Sequence, residues 1–175
     1  IPLNNGQVFE TGKRQSNLLS ALEGVLLLLK DADMVGLVEP LGFQRSSLRS
    51  KTEIVEMITS IGGNEHLRIV HDTFHHTLAD GGPIYPEMTG IVHISGVSDH
   101  NLGFMHMEDE HRVLVDTKDR IGNVEQIGAL LGAGYRGPIS FECFSPEIHN
   151  LLNPLTEIKK SFDYISTQIQ MHMGI

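Results

Sequence analysis

With one cysteine, Cys143, the chain can form no internal disulfide, and such a composition fits a reducing cytoplasm. Long apolar runs are missing too: none approaches the roughly 20 residues that cross a bilayer, so no membrane is expected among its partners. Positive charge is scarce, with 13 Lys and Arg against 22 Asp and Glu and a net charge of −9. A surface that tracks nucleic-acid phosphates needs the opposite balance, so no nucleic-acid partner is expected.

What is present is ordinary globular composition: 40% hydrophobic residues, 20% charged, and 18 glycines punctuating short elements over 175 residues. That length suits one domain, residues 1–175, with a substantial core. Leu18, Leu19, Leu22, Val25, Leu26 and Leu29 recur at helical spacing, which predicts a helix from Ser16, its cap, to about Lys30. Ser50-Lys-Thr-Glu53 has the form of a capping box before Ile54, Met57, Ile58 and Ile61, with Gly62-Gly63 as the stop. A short helix is expected over 75–80, a helix capped by Asn123 up to Gly134, and a terminal helix after Asn153-Pro154. The polar stretch 95–120 has little pattern and reads as a long functional loop.

Between these helices lie four short apolar runs, each ending in a metal-ligating side chain: Val35 to Glu39, Leu67 to Asp72, Gly90 to His93 and Ile139 to Glu142. Runs of this kind suit parallel strands, and strands alternating with helices indicate βαβ units and an α/β fold. In parallel barrels and open α/β sheets the carboxyl ends of the strands face one crevice. Glu39, Asp72, His93 and Glu142 are therefore expected to converge. Singly, each has a plainer explanation: a strand-end glutamate is often a solvated loop residue, Asp72 can cap a helical turn, and His93 can be a core histidine. Glu142, between two phenylalanines, is harder to dismiss, because an unpaired buried carboxylate is costly.

Three carboxylates and one imidazole suit one divalent ion, Mn²⁺, Mg²⁺ or Co²⁺, with Zn²⁺ as an alternative. Such an ion polarises a carbonyl and stabilises a developing enediolate, while Glu39 and Glu142 can remove and return a proton. His75, three residues beyond Asp72, is a candidate for binding substrate oxygens, although a surface or core role explains it nearly as well. Arg112 is a candidate for binding a hydroxyl or carboxylate, with an ordinary surface arginine as the plainer reading. His71 should point away from Asp72 by strand alternation, His76 reads as structural, and Cys143 as packing.

The segments Val38-Glu-Pro-Leu41, His71-Asp-Thr-Phe-His75, Val92-His-Ile-Ser-Gly96, His111-Arg-Val113 and Gly134-Tyr-Arg-Gly-Pro-Ile-Ser-Phe-Glu142 together resemble the xylose isomerase-like TIM barrels of sugar isomerases and epimerases. The resemblance covers essentially the whole chain and is nearest to the inosose isomerase-like branch of inositol catabolism. It implies an eight-stranded barrel of which this chain is the C-terminal part, about strands 4/5 to 8; Ile1 to Gly6, by its own pattern, reads as a strand end running into a loop. It also implies one divalent metal on Glu39, Asp72, His93 and Glu142, the two glutamates as acid and base, and His75 on substrate oxygen. The implied activity is isomerisation or epimerisation of a small keto-sugar or inosose. Dehydration of such a substrate, or sugar binding without catalysis, are the alternatives. A homo-oligomer is compatible with the resemblance. Ser95-Gly96-Val97 stands where relatives often carry an acidic residue, Arg112 lies later than the usual arginine, and Cys143 replaces a common Pro or Gly. Endonuclease chemistry of the same fold is disfavoured by the acidic balance and by the lack of further strand-end histidines.

Overall fold

The computed structural model describes residues 10–173; the expected strand end at Ile1 to Gly6 lies outside them. Four strands, β1 (Gly36–Val38), β2 (Leu67–Asp72), β3 (Thr89–Ile94) and β4 (Ile139–Phe141), form one sheet in the order β1-β2-β3-β4, with every neighbouring pair parallel. The connections carry helices α1 (Thr11–Asp31, before β1), α2 (Lys51–Ser60), α3 (Thr73–Leu78) and α4 (Asn123–Gly132), and the sheet is followed by α5 (Pro146–His149) and α6 (Pro154–Met173). Two single 3₁₀ turns, Phe104–His106 and Asp109–His111, lie in the long segment after β3.

Register brings the strand ends level. Asp72 pairs with His93 and His93 with Ser140, while Glu39 and Glu142 directly follow β1 and β4. Residues two apart on a strand share a face, so Leu37 and Glu39, Val70 and Asp72, Ile91 and His93, and Ser140 and Glu142 line one side. The other side is packed under helices. Leu67 and Ile69 join Leu22, Leu26, Ile54 and Ile58, and Val92 and Ile94 join Ile127, Leu130 and Ile165. A third cluster, Phe43, Phe74, Val97, Met107 and Ile121, closes over the carboxyl ends of the strands. The edge strands stay less covered, with Leu37 46% and Ile139 41% exposed.

Several expected boundaries move. The first helix begins at Thr11, five residues before Ser16, and Glu10 at its start makes no side-chain cap. Its early turns carry no apolar stripe and are instead tied down by Arg14, which donates to the Ser47 carbonyl and to Glu53. Ser50 does cap α2, accepting from the Glu53 amide (3.2 Å), but the Glu53 carboxylate is engaged by Arg14 and Gln15. The short helix α3 starts at Thr73 rather than His75, because Asp72 accepts from the His75 amide and caps it. Asn123 is the first residue of α4 and not its cap; Gly122 holds the cap position at φ 74°, where a side chain is disfavoured. The loop expected after Glu142 contains the short helix α5, capped by Ser145.

One close approach positions the site. A Cβ on Gly42 would lie 2.3 Å from the His75 carbonyl oxygen and 2.6 Å from Leu78 Cβ, so the loop after β1 rests directly on α3. Gly42→Ala is expected to cost about 1–3 kcal/mol by forcing these elements apart. Gly128→Ala, in α4 with open space around it, should instead stabilise by about 0.5–1 kcal/mol through helix propensity. Urea unfolding midpoints of the two variants should move in opposite directions; an unchanged midpoint for Gly42→Ala would show that this contact is soft.

Candidate metal centre

Four donor atoms, one each from Glu39, Asp72, His93 and Glu142, lie within 4.8 Å of one another. Among the described residues this is the one set of carboxylate, imidazole and thiol groups so spaced. His93 Nδ1 lies 3.2 Å from Glu39 Oε1 and 3.3 Å from Glu142 Oε2, so a single ring nitrogen bridges the two glutamates. The donors fit a hard divalent ion: octahedral bonds of about 2.1 Å place neighbouring donors about 3 Å and opposite donors about 4.2 Å apart, close to the observed spread. Oxygen-rich donors with one imidazole also match such an ion chemically.

The negative charge of these donors is partly offset from within the chain. Arg112 is 1% exposed, buried rather than on the surface. Its Nη2 donates to Asp72 Oδ2 and to Glu142 Oε2 (2.9 Å), its Nη1 to Asp109 Oδ1 (3.2 Å) and its Nε to the Ser95 hydroxyl (2.8 Å). A guanidinium has five N–H groups, and four of them meet described residues. The guanidinium also sits over the rings of Phe74 (4.9 Å) and Phe144 (5.1 Å). Hydrogen bonding to Glu142, and then to Glu39, raises His93 to about 10; an ion on Nδ1 must displace that proton. Burial pushes Asp72 upward against the pull of Arg112. Burial also pushes Glu142 upward, but the hydrogen bond from His93, the interaction with Asp72 and the charge of Arg112 outweigh it, and Glu142 is held well below the ordinary range.

His75 stands beside the donors, 4% exposed, with its ring edge-on to Phe43 (5.1 Å) and Phe74 (5.3 Å). Burial lowers it to about 3, and its Nδ1 has no hydrogen-bond partner among the described residues. A buried ring nitrogen without a partner is costly. Cys143 is half-buried, and burial pushes its thiol up to about 11, so it stays protonated at neutral pH.

Behind the sheet, His71 turns away from Asp72. Its Nδ1 meets Lys51 Nζ (2.8 Å) and its Nε2 meets Gln126 Oε1 (3.0 Å). His76 Nδ1 meets the same lysine nitrogen (2.8 Å). Burial lowers Lys51 to about 7, His71 to about 3 and His76 to about 4. The sequence pattern gave no sign of this buried polar chain, because its partners lie 20, 25 and 55 positions apart.

Arg112 thus holds two carboxylates that would otherwise face one another. Arg112→Leu is expected to destabilise the chelator-treated protein by about 3–5 kcal/mol, the cost of leaving buried charge unpaired. Adding Mn²⁺ should recover part of that loss, since a bound ion restores positive charge and stabilises the fold that binds it. Urea unfolding with and without Mn²⁺ checks both; a loss that Mn²⁺ leaves untouched would show that the ion does not bind between these carboxylates.

With this geometry in hand, the family model for the xylose isomerase-like TIM barrel matches residues 4–168. Among solved structures, a xylose isomerase domain containing protein from Salmonella typhimurium LT2 superposes with a TM-score of 0.82 at 32% identity, over 97% of this chain and 61% of that one. An IOLI protein solved with a zinc atom gives a TM-score of 0.82 at 19% identity, over 95% and 62%. A D-psicose 3-epimerase from Clostridium cellulolyticum H10, solved with D-tagatose, gives 0.69 at 17% identity, over 96% and 61%. The chain therefore spans less than two thirds of the length of these relatives. No curated protein matches it. The match across residues 4–168 and the shared architecture agree: this chain belongs to the xylose isomerase-like TIM barrel family.

Proposed function

We propose that the protein is a divalent-metal-dependent isomerase or epimerase of a small keto-sugar or inosose, working by proton transfer through an enediolate. The observation that carries this reading is the meeting of Glu39, Asp72, His93 and Glu142 at four successive strand ends, with donor atoms within 4.8 Å. Solved relatives named as a D-psicose 3-epimerase and an L-ribulose 3-epimerase support the substrate class, and the zinc atom of the IOLI protein supports a bound metal. Mn²⁺, Mg²⁺ or Co²⁺ suits the donors, and Zn²⁺ is the alternative. The single cysteine fits a reducing cytoplasm.

Glu39, Asp72, His93 and Glu142 would hold the ion. When bound, it supplies Lewis-acid polarisation of adjacent substrate oxygens. Glu39 and Glu142, on either side of His93, serve as the acid and base pair: one takes the proton from the carbon beside the carbonyl, and the other returns one. Neutral His75 offers its imidazole to a substrate hydroxyl. Arg112 binds a further substrate oxygen while holding Asp72 and Glu142 in place.

Screening keto-sugars and inososes with chelated and Mn²⁺-restored protein tests the reading. Turnover should vanish on chelation and return with the ion. Glu142→Gln should keep its fold and lose about 10²–10⁴-fold in turnover, the usual weight of a general acid or base. In D₂O the product should be an isomer of the substrate carrying solvent deuterium. An enone product would point to dehydration instead, and turnover indifferent to chelator would end the metal-dependent reading.

A further inference from the structure

We propose that Asn123 is a positioning residue for the metal site, fastening the ends of β2 and β3 so that Asp72 and His93 stay at ligand spacing. The proposal rests on reading that site as a metal site.

Asn123 is fully buried at the first position of α4. Its Oδ1 accepts from the Thr73 hydroxyl (2.6 Å), on the residue directly after Asp72. Its Nδ2 donates to the Ser95 carbonyl (2.9 Å), two residues after His93, and to Asp119 Oδ2 (3.0 Å). The Asn123 backbone amide donates to the same Asp119 oxygen (2.9 Å). These partners fix which end of the amide faces which strand: a carbonyl and a carboxylate both require a donor. One side chain thereby spans the two strand ends whose ligands lie side by side in the sheet.

Two further links tie this amide to the ligands. Gln126, one turn along the same helix face, donates to the Thr73 carbonyl (3.1 Å) and accepts from His71 (3.0 Å). Both chain neighbours of Asp72 are therefore held by α4. Ser95, whose carbonyl Asn123 holds, accepts through its hydroxyl from Arg112, which in turn donates to Asp72 and Glu142. Asn123 directs its hydrogen bonds to Thr73, Ser95 and Asp119 and not to the four donors. It acts through Thr73 and Ser95, as groups behind a ligand shell commonly do.

The test is Asn123→Asp, which preserves shape and the bond from Thr73 but sets a carboxylate against the Ser95 carbonyl and against Asp119. Co²⁺ titration followed by visible absorption reads the ligand geometry directly. Asn123→Asp should bind Co²⁺ about 10–100-fold more weakly than the unaltered protein, with a changed spectrum, and should lose kcat more than KM. Ile58→Val, a core substitution in α2 away from the site, controls for stability and should bind as the unaltered protein does. Should Asn123→Asp fail to fold, Thr73→Val, which removes the hydroxyl that Asn123 accepts from, decides by the same titration with the same expected direction. Co²⁺ binding and spectrum unchanged in the variant overturn the role given to Asn123. An unaltered protein that takes up no Co²⁺ overturns the metal reading, and this inference with it.

Discussion

Everything at the carboxyl end of the sheet depends on how three carboxylates are kept together. Like charges at this separation repel, and withdrawal from water makes the repulsion stronger. The chain meets this with the buried guanidinium of Arg112, bonded to Asp72 and Glu142, and with His93, hydrogen-bonded to Glu39 and Glu142. An arginine suits this place better than a lysine because its planar fork addresses two carboxylates and still reaches Ser95 and Asp109. The donor set is thereby shaped before any ion arrives. Aligning Arg112 this way requires the bridge between Gly96 and Val113, which folds the long segment after β3 back over the strand ends.

Parallel pairing then does geometric work that no local motif could do. Each ligand sits at the end of its own strand, and a parallel register with level ends places four such positions along one rim. Alternation sends the site residues to one face and Ile69, His71, Val92 and Ile94 to the helix-covered face. The same sheet therefore carries two different environments, one apolar and helix-packed, the other partly open and rich in charge. His71 and Asp72, adjacent in the chain, belong to different environments, and their hydrogen-bond partners do not overlap.

What could be read from the sequence follows from this division. Strand ends were legible because an apolar run stopping at a charged residue is a local signal, and it located Glu39, Asp72, His93 and Glu142 without knowledge of contacts. Helices with an apolar stripe were legible in type but not in extent: α1 begins in turns whose anchor, Arg14, reaches Glu53 across 39 positions. Asn123 resembled a cap because capping and first-turn asparagines look alike in sequence; besides Asp119, its side chain meets Thr73 and Ser95, 50 and 28 residues away. Arg112 and Lys51 were opaque for a related reason. Burial of a cation is decided by which distant groups surround it, and composition around His111-Arg-Val113 or Ser50-Lys-Thr52 carries no trace of that.

Asp72 shows why a plain explanation and a functional one need not compete. Its Oδ1 accepts from the His75 amide (2.8 Å) and caps α3, while Oδ2 faces Arg112. Capping alone would account for an aspartate here, and stabilising caps are common. Yet the cap fixes the plane of the carboxylate, so the second oxygen is aimed by the same bond that starts the helix. That helix carries His75, whose ring lies against Phe74 and Phe43 with one nitrogen unpartnered. A single hydrogen bond thus sets the direction of a donor in the ligand cluster and the position of the imidazole beside it. Replacing Asp72 by asparagine would keep an acceptor for the His75 amide and remove the charge that faces Arg112, so the cap and the donor role are separable in chemistry although they share one side chain.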